Sequence, residues 1–299
     1  MTTLRVLVPG FRSTVQDLGR YTHLRMAVPP AGPADPFAFE AAQHLVGNEP
    51  SAAAIEIVGL PFRAVLDAAR LVAATGREVR LRTRGPVDGW TAVFARAGEE
   101  IVVEGTPRTR YAYLAVAGGI ALPAVLGSRS TYLPSGIGPL PRALAADEAL
   151  PLGEPHHGPE RAGRTMVYEY GRVIHAMPGP HIGSFPDGSS FFDAELRVSE
   201  RSDRMGVRLE GPRIPVTGGE ILSVGMVAGA VQVPSGGEPI VLLADHQTTG
   251  GYPVIATVIR SDLGSVAQAV PDESLAFRAV ERAFALERLR SWRARWSEV

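Results

Sequence analysis

Between Gln232 and Ile259 the chain reads QVPSGGEPIVLLADHQTTGGYPVIATVI. In this run an apolar strand delivers Asp245, His246, Gln247, Thr248 and Thr249 into a Gly250-Gly251 turn ahead of Tyr252. Glycine lets a backbone approach a ligand closely, while glutamine and threonine offer donors and acceptors to an amide or a carboxylate. The same residues also suit a hairpin turn whose hydroxyls satisfy its own backbone. A second cluster, SERSDRMGVRLEG, places Arg204 and Arg208 where a guanidinium fork could clamp an anion or close an internal network with an acidic partner. A third, STVQDLGR from Ser13 to Arg20, joins amide, carboxylate and glycine in the same manner. A fourth, LVGNEPSAAAIEIV, supplies Asn48 and Glu56. Glu56 falls among apolar strand residues, where a carboxylate needs a partner or a task. His156 and His157 are neighbours without the carboxylate spacing of a metal centre, so no metal site is expected.

Composition removes several alternatives. The 299 residues are 45% hydrophobic and 20% charged, enough for one large core or two ordinary ones. Thirty basic and 31 acidic residues leave a net charge of -1 with no basic tail, which argues against a nucleic-acid partner. Cysteine is absent, and so are disulfides, thiolate metal sites and cysteine nucleophiles. All 30 basic residues are arginine. Without lysine there is no Schiff-base chemistry, no phosphate-loop lysine and no attachment point for biotin on this chain. Phosphate or biotin chemistry must therefore use arginine, backbone amides or a partner chain. No GxSxG, HExxH or GxGxxG motif is present. The start, MTTLRVLVPG, lacks the pattern of a signal peptide, and the stretch from Ile221 to Val233 is polar-interrupted and short of the ~20 residues of a membrane helix. A cytoplasmic protein without membrane contact is expected.

The elements that must hold these clusters are mostly strands. LRVLV at Leu4, AIEIV at Ala54, EVRLR at Glu78, EIVVEG at Glu100, YAYLAVAG at Tyr111, VYEY at Val167, ELRV at Glu195 and PIVLLAD at Pro239 are short β-branched runs bounded largely by glycine or proline. With 33 glycines and 25 prolines and no strand-helix alternation, they predict β-barrels or sandwiches. Two helices are legible. One spans Asp35 to Val46, with Asp35 as cap, Pro36 in the first turn and Gly47 as terminator. The other spans Ala279 to Ser297, with Ala285, Leu289, Trp292 and Trp296 on one apolar stripe expected to pack on its own barrel. PLGEPHHGPERAG, from Pro151 to Gly163, reads as a linker or long surface loop, placing a boundary between units 1-157 and 158-299.

In this order, VPGFRSTVQDLGR, the AGPAD turn at Ala31, LVGN with AIEIV, AVAGGI with LGSRSTY, SDRMGVRLEG and DHQTTGGYP resemble the KipA-type family, which includes the C subunit of 5-oxoprolinase and biotin-dependent carboxyltransferase domains. The resemblance covers nearly the whole chain. It departs in SGIGPLPRALAADEAL, around residues 136-148, where the family carries Gly-Gly, Gly-Arg and Gly-Asp steps, and at His181 and His246. The resemblance implies a mainly β fold of two cyclophilin-like barrel units with few helices. It also implies partners, one KipI-like and sharing the active cleft, the other LamB/YcsF-like. The activity it implies is ATP-dependent opening of the 5-oxoproline lactam to glutamate, ATP being bound in the complex. In that reading Arg204, Gln247, Thr248 and Thr249 contact the substrate, and Asp35, Glu56 and Asp245 are the candidates for proton transfer. Two alternatives stay open. One is a carboxyltransferase in which Asn48, Gln232, Gln247 and Tyr252 hold the ureido ring of carboxybiotin from another protein. The other is a regulator that sequesters a KipI-like kinase inhibitor.

Overall fold

The β-branched runs close around separate cores in two units, and the computed structural model describes residues 2–295. Unit 1 comprises residues 2–20 and 31–169, and unit 2 comprises Tyr21–Pro30 and Tyr170–Arg295. The fold is mainly β, with few helices, as the composition and turn density predict.

Unit 1 is built from two antiparallel sheets. The first runs Ala149–Pro151, Thr3–Val8, Phe62–Leu66, Glu100–Glu104, Arg80–Arg82, Pro86–Asp88; the second runs Thr14–Gln16, Ala54–Ile57, Ala112–Val116, Arg70–Gly76, Ala92–Ala95. Successive strand side chains point to opposite faces, and in Phe62–Leu66 burial alternates accordingly, sending Phe62, Ala64 and Leu66 inward. They meet Ile55, Ile57, Val72 and Leu114 of the second sheet in one core. The strand Ala112–Val116 is buried along its whole length because the helix Pro36–Leu45 covers it as well. That helix starts where the sequence places it: the Asp35 carboxylate accepts from the Ala38 amide at 3.1 Å, and Pro36 occupies the first turn. Such a cap is worth ~0.5–2 kcal/mol. Gly47, at φ 74°, closes the helix, and a Cβ there would lie 2.4 Å from the His157 ring.

VYEY is not a strand. Val167 is exposed, and Tyr168 leaves the backbone ladder to stack on Phe37, with ring centroids 4.0 Å apart, and on Trp90 at 5.5 Å. Pro151–Gly163 is tied to unit 1. Arg161 donates to the carbonyl of His44 at 2.8 Å, and the Gly163 amide donates to Ala92 at 2.8 Å. The chain passes to unit 2 after Glu169.

Unit 2 is a closed barrel in the order Val173–Pro178, Val254–Val258, Ala230–Gln232, Ile240–Leu242, Gly206–Glu210, Glu195–Val198, Ser274–Ala279. Val173–Pro178 and Ser274–Ala279 pair in parallel, which closes the ring and leaves no open edge. The C-terminal helix spans Arg282–Ala294; Trp292 is buried beneath Arg260, and Ala285 and Leu289 are half-buried on the same stripe. Trp296 and Ser297 lie outside the described residues. Two short helices, Ser190–Asp193 and Leu263–Gln268, are too brief to leave an apolar period in the sequence. Among the described residues, no helix is long and apolar enough to cross a membrane.

Candidate functional site

The barrel of unit 2 gathers seven of the ten predicted site residues. Gly206–Glu210 and Ile240–Leu242 pair antiparallel, so the turn before one strand and the end of the other meet. There Arg204 and Asp245 form a forked ion pair, Nε to Oδ2 at 2.8 Å and Nη2 to Oδ1 at 2.9 Å, with both side chains buried. Beyond Asp245 the backbone leaves the barrel ladder, and Thr249–Gly250 pairs with Val224–Gly225 in a separate two-stranded ribbon. This places Gln247 beside Gln232, and Gln247 Nε2 donates to Gln232 Oε1 at 2.9 Å. Gly250 leaves room for that pair, because a Cβ there would stand 2.6 Å from Gln232 Nε2 and push the end of that side chain aside. Thr248 is half-buried and Thr249 exposed, and Tyr252 presents its ring to solvent while its carbonyl faces Gln232. Arg208, the other predicted clamp, points to solvent.

What the cluster can do follows from these pairings. Gln247 Oε1 and both threonine hydroxyls accept or donate no side-chain hydrogen bond among the described residues, so an amide- or carboxylate-bearing ligand would find both polarities there. Arg204 already has Asp245 as its bidentate partner.

Asp35, Glu56 and Asn48 belong to unit 1. Glu56 accepts from the Ala34 amide at 2.9 Å and from the Tyr113 hydroxyl at 2.8 Å, and that hydroxyl accepts from the Asp35 amide at 2.8 Å. Burial, with the Glu56 and Asp35 charges adding to it, holds the Tyr113 phenol well above its ordinary pKa, so it remains a donor. Tyr113→Phe removes the hydroxyl that accepts from the Asp35 amide and that donates to Glu56. Its expected effect is a loss of ~1–3 kcal/mol in urea unfolding, and a change below a few tenths would contradict the network. Asn48 joins the end of the first helix to the AVAGGI turn: it donates to Gln43 and to the Val116 carbonyl and accepts from the Gly118 amide at 2.8 Å.

The STVQDLGR and LGSRSTY motifs meet in one network of unit 1. Asp17 accepts from the Ser128 hydroxyl at 2.6 Å, the Ser130 hydroxyl at 2.7 Å and the Arg129 amide at 2.6 Å, and buried Arg20 donates to the Ser130 carbonyl. The divergent loop at 136–148 is held by a double ion pair from Arg142 to Glu148. His181 Nδ1 accepts from the Val254 amide at 3.2 Å. His157 lies 3.6 Å from Glu160, and no group of three or more potential metal ligands occurs among the described residues.

Unit 2 also holds a cavity of about 230 Å³ beside the cluster, lined in part by Tyr21, Met226, His246, Arg260 and Leu263. Tyr21 and Arg260 were absent from the sequence-based candidates. Tyr21 is remote from His246 in the chain, Arg260 stands just beyond the run that ends at Ile259, and neither sits in a motif that marks a ligand.

The comparisons with known proteins agree with this architecture. The carboxyltransferase domain, subdomain A and B, matches residues 26–279. The chain is 37% identical over 271 residues to the 5-oxoprolinase C subunit of Escherichia coli, covering 89% of this chain and 87% of that protein. It is 35% identical over 275 residues to the Haemophilus influenzae protein of the same name, covering 90% and 88%. The solved structure of K. lactis urea amidolyase superposes with a TM-score of 0.90 at 26% identity, covering 99% of this chain but only 20% of that one. The motifs, the mainly β fold and a match across most of its length together place the chain in the family of carboxyltransferase domains with subdomains A and B.

Proposed function

We propose that this chain is the C subunit of an ATP-dependent 5-oxoprolinase, which converts 5-oxo-L-proline to L-glutamate together with two partners, one KipI-like and one LamB/YcsF-like. The reading is carried by the 37% identity to the E. coli 5-oxoprolinase C subunit, which extends over 87% of that protein. The polar cluster of unit 2 is compatible with it. A lactam presents one carbonyl and one N–H, and the Gln232-Gln247 pair with Thr248 and Thr249 offers the complementary donors and acceptors. Opening the ring adds negative charge to the carbonyl oxygen, and donors fixed in advance favour that change. In this reading Asp245 is a positioning residue that holds Arg204 at the edge of the cluster, and Asp35 and Glu56 brace unit 1.

The residues of this chain do not fit a triphosphate site of their own. Lysine is absent, there is no glycine-rich phosphate loop, and the fork of Arg204 is engaged by Asp245. These features support nucleotide binding by a partner protein.

A second reading, carboxyl transfer from biotin carried on another chain, draws support from the superposition on K. lactis urea amidolyase, of which this chain spans one fifth. The two are separated by measuring ATP-dependent glutamate release from 5-oxoproline with this chain alone and with its purified partners. Release only from the mixture is expected. A mixture that assembles yet releases no glutamate, while decarboxylating carboxybiotin, would establish the second reading instead.

A further inference from the structure

Gln232 is the least accessible member of the polar cluster in unit 2, only 2% exposed, and it stands where the barrel departs from regular pairing. Its neighbour Val231 lies opposite Ala256, but Gln232 lies opposite Val254, and Ile255 is passed over between them. A bulge of this kind re-aims a side chain. Here the Gln232 carboxamide lies against the two-stranded ribbon beside that of Gln247. A Cβ on Gly250 would stand 2.6 Å from Gln232 Nε2 and 3.3 Å from Gln247 Nε2, so both amides pack on the bare glycine backbone.

The hydrogen bonds give this pair of carboxamides a direction. A main-chain carbonyl only accepts, so the end of Gln232 that faces the Tyr252 carbonyl, 3.4 Å away, is Nε2. The other end is then Oε1, which also only accepts, and Gln247 meets it with Nε2 at 2.9 Å. Gln247 is therefore turned with its nitrogen against Gln232. Its Oε1 bonds to no group among the described residues, and the side chain is half-buried, so this acceptor stays within reach of a ligand. The main chain is held as well. His246 Nδ1 lies 2.6 Å from the Gln247 carbonyl oxygen and donates to it, and the Thr248 carbonyl accepts from the Met226 amide at 2.9 Å. Turning Gln247 over would set its Oε1 against Gln232 Oε1, two acceptors with no proton between them.

We propose that Gln232 is a positioning residue that sets the polarity of Gln247, so that Gln247 Oε1 accepts from the N–H of a cyclic amide while Gln232 itself touches no ligand. The identity of that amide rests on the 5-oxoprolinase reading, in which it is the lactam of 5-oxo-L-proline. The consequence is selectivity. A ring oxygen in place of the N–H meets Oε1 as a second acceptor, and a site built to take a hydrogen bond rejects such an analogue. Without the Gln232 amide, Gln247 is free to turn over and offer Nε2 to that ring oxygen instead.

The test is calorimetric titration of the assembled complex, without ATP, with 5-oxo-L-proline and with its lactone counterpart, 5-oxotetrahydrofuran-2-carboxylate, in which a ring oxygen replaces the N–H. The unaltered complex is expected to bind 5-oxoproline at least about tenfold more tightly than the lactone. Gln232→Met keeps the bulk of the side chain but gives Gln247 no acceptor, and it is expected to bring the two affinities within about twofold of each other. Gln247→Ala, at a half-buried position, is expected to do the same, and adding Gln232→Met to it is expected to change the ratio no further. Gln232→Glu retains an oxygen that accepts from Gln247 Nε2 and is expected to restore the preference. A purely structural role would weaken both compounds alike. An unchanged ratio in Gln232→Met therefore overturns the proposal, as does failure of the complex to bind 5-oxoproline at all. Glutamate release by the same complexes judges the functional reading separately. Release by the unaltered complex with no change of ratio in Gln232→Met would leave the 5-oxoprolinase reading standing without this role for Gln232. The expected change of ratio in a complex that releases no glutamate would do the reverse.

Discussion

Asp245→Ala is expected to lower the unfolding free energy by about 3–5 kcal/mol, read as a shift of the urea midpoint without a change of slope. The substitution removes the bidentate partner of Arg204, and both side chains are buried. A guanidinium cannot shed its proton to escape, since arginine stays charged at any accessible pH. Its charge must therefore be left poorly solvated or dragged to the surface with the turn that carries it. Removing the charges together tests the cause. Arg204→Met with Asp245→Leu should recover most of the loss, because apolar replacement of a whole buried pair is often neutral. A loss below about 1 kcal/mol for Asp245→Ala would show that the pair is solvated in solution.

Gln247→Ala with Thr248→Ala is expected to reduce kcat/KM of the assembled enzyme by about 100-fold or more while leaving the melting temperature nearly unchanged. Loss of one prearranged donor to a developing oxyanion commonly lowers rates by about 10²–10³. The stability side is small for a structural reason. Both residues are half-buried, and the double variant gives up one side-chain hydrogen bond, Gln247 to Gln232, worth ~1 kcal/mol. The two readouts are thereby decoupled. Unchanged turnover would move the reacting centre away from this ribbon, and a collapse in stability would recast the pair as a brace.

The first helix was legible because its signals are local. A cap, a proline and a glycine at fixed offsets are all within reach of one another, and the helix runs Pro36–Leu45 as they predict. The run from Gln232 to Tyr252 was likewise visible as a concentration of polar residues in apolar surroundings. What escaped depended on pairing across the chain. Glu56 called for a partner, but that the partner is Tyr113 follows from strand register, which sets Tyr113 opposite Glu56. The fork of Arg204 could hold a ligand or an internal carboxylate, and only the meeting of two barrel strands selects Asp245. VYEY had the composition of a strand, yet it joins no sheet, and Tyr168 stacks on Phe37 and Trp90, rings that lie far from it in the chain. Tyr21 and Arg260 needed the cavity itself, since neither tyrosine nor arginine is unusual where it stands.

Tyr21–Pro30 leaves unit 1, contributes to unit 2 and returns, so the barrel's own material is made at both ends of the chain. During synthesis this short piece emerges long before the first barrel strand, Val173–Pro178, and has no closed barrel to join until the last one, Ser274–Ala279, has been made. Unit 2 is thus the late partner in an order imposed by the ribosome, while unit 1 has all its described strands in hand once Pro151 is out. The same threading bears on dissection. A fragment starting at Tyr170 would retain all seven barrel strands and still lack Tyr21, Leu24 and Pro30 from the wall of the cavity. Minimal versions of this barrel should therefore be made by circular permutation that grafts residues 21–30 onto it, not by truncation.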